Sequence, residues 1–250
     1  ADAIFPDAWE SYLAPIPEAE RGDLLHAYYK RLTSPDAKVR MEAARLLSPV
    51  DMGTLSAEDG QVLSTLFTEY VATLRAHADM PGDAIALGLH YVERGQGAQA
   101  EQAYLGAMKV DPTFTAAALN LADLYRQLDR EDDARNVLEA ALQRAPESAP
   151  VHHALGLQRA RAKAYPEALS HLRRAYELSP DDVTYGYVYA VALADGGDVR
   201  RAIDILQRLD RAHPGDARIG QALGEYRLRL KSGRTSSGAP PSAAILTFRP

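Results

Sequence analysis

The stretch from His171 to Asp182 reads HLRRAYELSPDD. Leu172, Ala175 and Leu178 recur at helical spacing, and the run stops at Pro180. Proline has no N–H and disfavours the helical conformation in the residue before it. Pro112, Pro146 and Pro214 stand in phase with Pro180, at intervals of 34 residues. Such a period signals a stacked array of one supersecondary unit and outranks any local reading. Counting back from the prolines gives four units: 81–114, 115–148, 149–182 and 183–216.

Each unit repeats one internal pattern. Leu87 and Tyr91 lie one helical turn apart, as do Ala100 and Tyr104, so each pair shares a helix face. Between the two helical runs stand turn residues, Arg94-Gly95-Gln96, Leu128-Asp129-Arg130, Ala162-Lys163-Ala164 and Gly196-Gly197-Asp198. Each unit is therefore predicted to be a helix, a tight turn and a second helix. The small residues Gly88, Ala122, Gly156 and Ala190 are expected to face Ala100, Ala134, Ala168 and Ala202, letting the helices approach at the short end of the usual range of about 8–10 Å. Leu209, where the other units carry Ala, predicts looser packing in the fourth.

This pattern resembles the tetratricopeptide repeat, whose signature places Leu-Gly, an aromatic, a small Ala, a second aromatic and a terminal Pro at these positions. The resemblance implies an all-α solenoid of four helical hairpins. A further first helix, ARIGQALGEYRLRLK at 217–231, keeps the phase and reads as the terminal cap such arrays need. Ahead of the repeats, 48–80 holds a junction and a long helix covering the front of the first repeat. Its start carries Ser56 and Asp59 as a cap.

Residues 1–47 share no phase with the repeats and are predicted to form three short helices at about 6–14, 18–32 and 36–47. Phe5-Pro6-Asp7-Ala8-Trp9-Glu10, Ala27-Tyr28, Arg31-Leu32-Thr33-Ser34 and Glu42-Ala43-Ala44 resemble the lid of bacterial proline iminopeptidases, which are α/β-hydrolases. No G-x-S-x-G occurs anywhere, so the exposed nucleophilic serine of that family and its oxyanion donors are missing. The match stops at a junction near Arg45–Pro49, before the acidic residue with which that family reads its substrate's amino terminus. The chain thus looks composite. Residues beyond the junction also resemble, more weakly, the repeat portion of periplasmic multihaem cytochrome-like proteins, without any C-x-x-C-H motif.

The chain has 250 residues, no cysteine and a net charge of −6. Disulfides, thiolate metal sites and covalent haem are excluded, and no electrostatic footprint for nucleic acid appears. No run approaches the roughly 18 apolar residues a membrane span needs. The start shows neither a methionine nor a secretory signal, which reads as a processed or trimmed product. The compartment is left open between cytoplasm and periplasm. The tail 232–250 reads as a flexible linker ending in the apolar Ile245–Phe248.

In the tetratricopeptide family the first helices line an inner, concave face where protein or peptide partners bind. The resemblance maps that groove onto Ile85, Leu89, Leu119, Asn120, Asp123, Arg126, His153, Leu157, Arg161, Tyr187 and Val191. The carboxylate clamp of some members is not expected, because only Asn120 fits it; Ile85, Leu89, Pro150 and Ala154 fill the other places. His152-His153 point about 100° apart on a helix and do not chelate together; His90 and Glu93 lack a third ligand. Glu18, Glu20 and Asp23 read as the acidic start of a helix. No catalytic residue, metal or cofactor is expected. The preferred expectation is a non-enzymatic protein- or peptide-binding scaffold. The alternatives are a lid fragment that needs a separate catalytic subunit, or an engineered or chimeric helical protein with no evolved function.

Overall fold

A computed structural model describes residues 31–55, 57–77 and 79–232. Among them stand eleven α-helices and a 3-10 turn at Met52–Thr54, with no strand. The helices are α1 (Ala37–Leu47), α2 (Ala57–Ala76), α3 (Pro81–Glu93), α4 (Gly97–Val110), α5 (Thr115–Gln127), α6 (Glu131–Arg144), α7 (Ala149–Arg161), α8 (Tyr165–Leu178), α9 (Val183–Asp195), α10 (Val199–Ala212) and α11 (Ala217–Lys231). The two earlier predicted helices, the cap at Ser56, the carboxylates Glu18, Glu20 and Asp23, and the tail beyond Ser232 lie outside the described residues.

From α3 onward the helix bounds repeat in register. First helices open at 81, 115, 149, 183 and 217, and second helices at 97, 131, 165 and 199. The turn inside every hairpin has one geometry. Gly95, Asp129, Lys163 and Gly197 each adopt a left-handed conformation, with φ of 68°, 57°, 61° and 94°. The residue after each donates back across the turn: Gln96 to Tyr91, Arg130 to Tyr125, Ala164 to Arg159 and Asp198 to Leu193, at 2.7–2.9 Å. This is the Schellman closure, which satisfies the last carbonyls of the first helix. The second helices end two residues before each proline. Asp111, Ala145, Ser179 and His213 leave the helical region with φ between −130° and −140°. The clash of proline Cδ with the preceding residue accounts for this placement.

The chain divides between Leu124 and Tyr125 into two compact units. In the first, α1 packs on α2, α2 on α3 and α3 on α4. Asp36 opens α1 by accepting from Lys38 N–H, and Arg40 on α1 donates to Glu69 on α2. α2 ends at Ala76, and its buried Tyr70 lies one repeat period before the buried Tyr104 of α4. α2 therefore holds the register of a second helix, half a repeat ahead of the first complete hairpin.

The segment that follows α1 is part of the core. Leu47, Ser48 and Val50 are all buried. Ser48 Oγ donates to the Ala44 carbonyl at 3.0 Å, which leaves it to accept from His90 Nδ1–H of α3 at 2.7 Å. Arg94 reaches the Val50 carbonyl at 2.6 Å.

The second unit is a series of neighbour contacts, α6 on α7, α7 on α8, α8 on α9, α9 on α10 and α10 on α11. One packing expectation is refined here and one is corrected. A Cβ on Gly88 would lie 2.6 Å from Tyr104 Cδ1, and one on Gly156 would lie 2.7 Å from Leu172 Cδ2. The glycines thus receive the large residue one turn beyond the predicted alanine, because helical side chains lean toward their own N-terminus. The fourth hairpin is not loose either. Leu209 is 1% exposed and seats over Gly186, whose missing side chain makes room for it.

Candidate interaction faces

In the first unit the predicted groove positions fall on α3 and α5. Ile85 is half-buried against Ala84, Ala107 and Ala117, while Leu89 is 45% exposed. Leu119 and Asn120 are half-buried, and Asp123 is exposed. Asn120 spends its amide locally, donating to the Ala116 carbonyl at 2.9 Å. One helical turn separates Ile85 from Leu89 and Leu119 from Asp123, so both pairs lie along helix faces.

In the second unit Arg126 is half-buried, and His153, Leu157 and Val191 are buried. The His153 ring stands 4.9 Å from that of Tyr185, and burial lowers its pKa to about 4, against an opposing pull from Asp182. The imidazole is therefore neutral at pH 7. Arg161 and Tyr187 are half-exposed. Arg161 Nε donates to Glu131 Oε1 at 3.2 Å, and the guanidinium of Arg218 lies 5.9 Å from the centre of the Tyr187 ring. Tyr187 with its stacked Arg218 gives this face an aromatic and cationic edge.

Three buried or half-buried polar arrangements were not legible in the sequence. His90, linked to Ser48, also meets Phe67 and Tyr70 edge-on at 4.9 and 5.4 Å. Its pKa is lowered to about 4, first by burial and then by Arg94. His152 faces His171 rather than His153, with Nδ1···Nδ1 at 3.1 Å. Its Nε2–H donates to the Pro146 carbonyl, so one further proton serves both rings. Arg159 of α7 pairs with Glu139 of α6. Each joins residues far apart in the chain, and no local spacing announces it. Among the described residues no set of three His, Cys, Asp or Glu side chains gathers to hold a metal, and no helix is long and apolar enough to cross a membrane.

The Tetratricopeptide repeat family matches residues 91–157 and 159–226. That is more than half of the chain, and the chain belongs to this family. Its fold is similar to that of TTC0263, a thermophilic TPR protein in Thermus thermophilus, with a TM-score of 0.54 at 17% identity over 76% of this chain and 98% of that one. It is also similar to MamA, with a TM-score of 0.51 at 22% identity over 61% of this chain and 82% of that one.

A separate likeness covers a short piece. A probable proline iminopeptidase of Leptolyngbya boryana is 60% identical over 48 residues, which is 19% of this chain and 15% of that enzyme. The proline iminopeptidase of Xanthomonas citri is 52% identical over 48 residues, again 15% of its length. The chain thus spans about 15% of the length of the curated relatives it matches. The repeats make the chain a protein-interaction scaffold, and the short segment is similar to 15% of the length of these enzymes.

Proposed function

We propose that the chain binds a partner protein through the first helices of its repeats, taking an amphipathic helix or an extended peptide. The observation that supports this most directly is that, in each unit taken by itself, side chains of those helices reach the surface. Leu89 and Asp123 are exposed in one unit, and Arg161 and Tyr187 are half-exposed in the other. His153, Leu157 and Val191 act beneath that surface as the packing that holds it. In this proposal 81–216 is the binding array and 217–231 its cap, while 48–80 supplies the junction and long helix at its front and 1–47 the segment similar to the iminopeptidase lid.

Photo-crosslinking tests the proposal. A crosslinker at Leu89 or Tyr187 is expected to capture a discrete partner that one at Leu105 or Tyr165, exposed on second helices, does not. Equal capture from both sets would refute groove recognition.

A second function is favoured by one observation, the 48-residue match to proline iminopeptidases. In it the N-terminal segment serves a separate catalytic subunit. Turnover of a prolyl arylamide that appears only when the chain is mixed with such a subunit supports it; no change on mixing rejects it.

A further inference from the structure

An open depression with a volume of about 510 Å³ lies between α2, α3 and α4, with Arg75, Gln99, Gln102 and Gly106 at its exposed rim. This size falls within the range of about 300–1,000 Å³ typical of small-ligand sites. Its walls are apolar, with Leu74 from α2, Leu87 from α3, and Ala103 and Gly106 from α4. Neither Ile85 nor Leu89 lines it, so it is separate from the first-helix row.

The cavity exists because this hairpin omits bulk that the fourth one supplies. Three repeats later, the positions of Ala103 and Gly106 are Ile205 and Arg208, and that of Leu74 is Tyr176. Ile205 is buried there, and Arg208 donates to the Tyr176 hydroxyl at 3.1 Å, so side chains of the fold itself close the space. In the first hairpin a Cβ on Gly106 would meet nothing within 4 Å.

The polar groups on the cavity wall select a charge. Arg75 is its one ionisable cation, accompanied by the carboxamides of Gln99 and Gln102, and no carboxylate lines it. Arg75 donates to the Tyr91 hydroxyl at 2.8 Å, and among the described residues no carboxylate pairs with it. A guanidinium at the edge of an apolar cavity fits an anion that carries a hydrocarbon body. We propose that this cavity binds a small amphipathic carboxylate, with its alkyl or aryl part against Leu74, Leu87 and Gly106 and its anion on Arg75.

The test uses octanoate and its neutral analogue octanamide on the full chain, by calorimetry and amide shifts. Wild type is expected to bind octanoate at one site in roughly the millimolar range, shifting the Gly106 and Leu87 amides. Gly106→Leu fills the space and is expected to weaken binding at least about tenfold. It should fold as well as wild type, since Leu is the better helix former. Arg75→Gln is expected to weaken octanoate roughly tenfold and leave octanamide unchanged. Absence of saturable binding, or a Gly106→Leu chain that binds as wild type does, overturns the site. Equal losses for octanoate and octanamide in Arg75→Gln overturn its assignment to a carboxylate.

Discussion

The first and fourth hairpins share one backbone and fill it differently. α3 and α4 place Gly88 beneath the Tyr104 ring, whereas α9 and α10 place Gly186 beneath Leu209. On the outer side, Ala103 and Gly106 leave a cavity where Ile205 and Arg208 close one. The repeat therefore conserves turn geometry and helix length but not the partner of each side chain. What must be kept is the combined volume across a contact, because interiors are close-packed and tolerate neither voids nor overlap.

The largest expected effect comes from breaking that volume balance. Gly88→Val drives two methyl groups into a ring whose backbone is held on both sides, and should destabilise the first unit by about 3–5 kcal/mol in urea unfolding. Gly186→Ala meets only the flexible end of Leu209 and should cost about 1 kcal/mol. Equal losses at the two sites would show that Tyr104 gives way as readily as Leu209.

Acid probes one buried histidine in each unit. His90 and His153 are held near pKa 4 when folded, against an ordinary 6.5, chiefly by burial. Between those values the unfolded chain binds protons that the folded chain refuses. Stability is thus complete above pH 6.5 and declines as the pH falls toward 4, by up to about 3 kcal/mol for each ring. His153→Leu, which installs the residue found one repeat earlier at Leu119, should flatten the slope measured by hydrogen exchange in α7. The slope in α3 should persist.

A smaller gain is expected at Gln158, which is 2% exposed and has an Oε1 without a hydrogen-bond partner. The equivalent residue one repeat earlier is Leu124, also buried. Gln158→Leu should stabilise the second unit by about 1–2 kcal/mol, read as a raised Tm, because it removes a desolvated polar group without changing the contact's size greatly. The smallest effect belongs to the turns. Lys163 holds a φ of 61° where Gly95 and Gly197 serve the first and fourth hairpins. Lys163→Gly should therefore gain about 0.5–1 kcal/mol in chemical denaturation, and Gly197→Ala should lose about as much.

The hairpins were legible because their punctuation is local. A proline sets the end of a second helix through the residue before it, and the turn residues named from sequence include the four that adopt left-handed φ inside the hairpins. The face-to-face contacts were not legible. The spacing of small residues names Gly88 and Ala100, but it does not announce that the Tyr104 ring lies nearest to Gly88. Looseness was expected at Leu209, yet Gly186 stands across from it. For the groove, the family's positions name Leu157 and Val191, and their burial follows from neighbouring helices that sequence spacing does not measure.

By itself, the order of residues determined a chain of helical hairpins with a fixed repeat, since backbone dihedrals at Gly, Pro and the helix ends depend on nearest neighbours. Only the tertiary structure decided that the segment around Ser48 is anchored to His90, that an open depression lies beside the first hairpin, and which first-helix side chains reach the surface. Those outcomes rest on packing between segments tens of residues apart, where the volume of one side chain is set against another's.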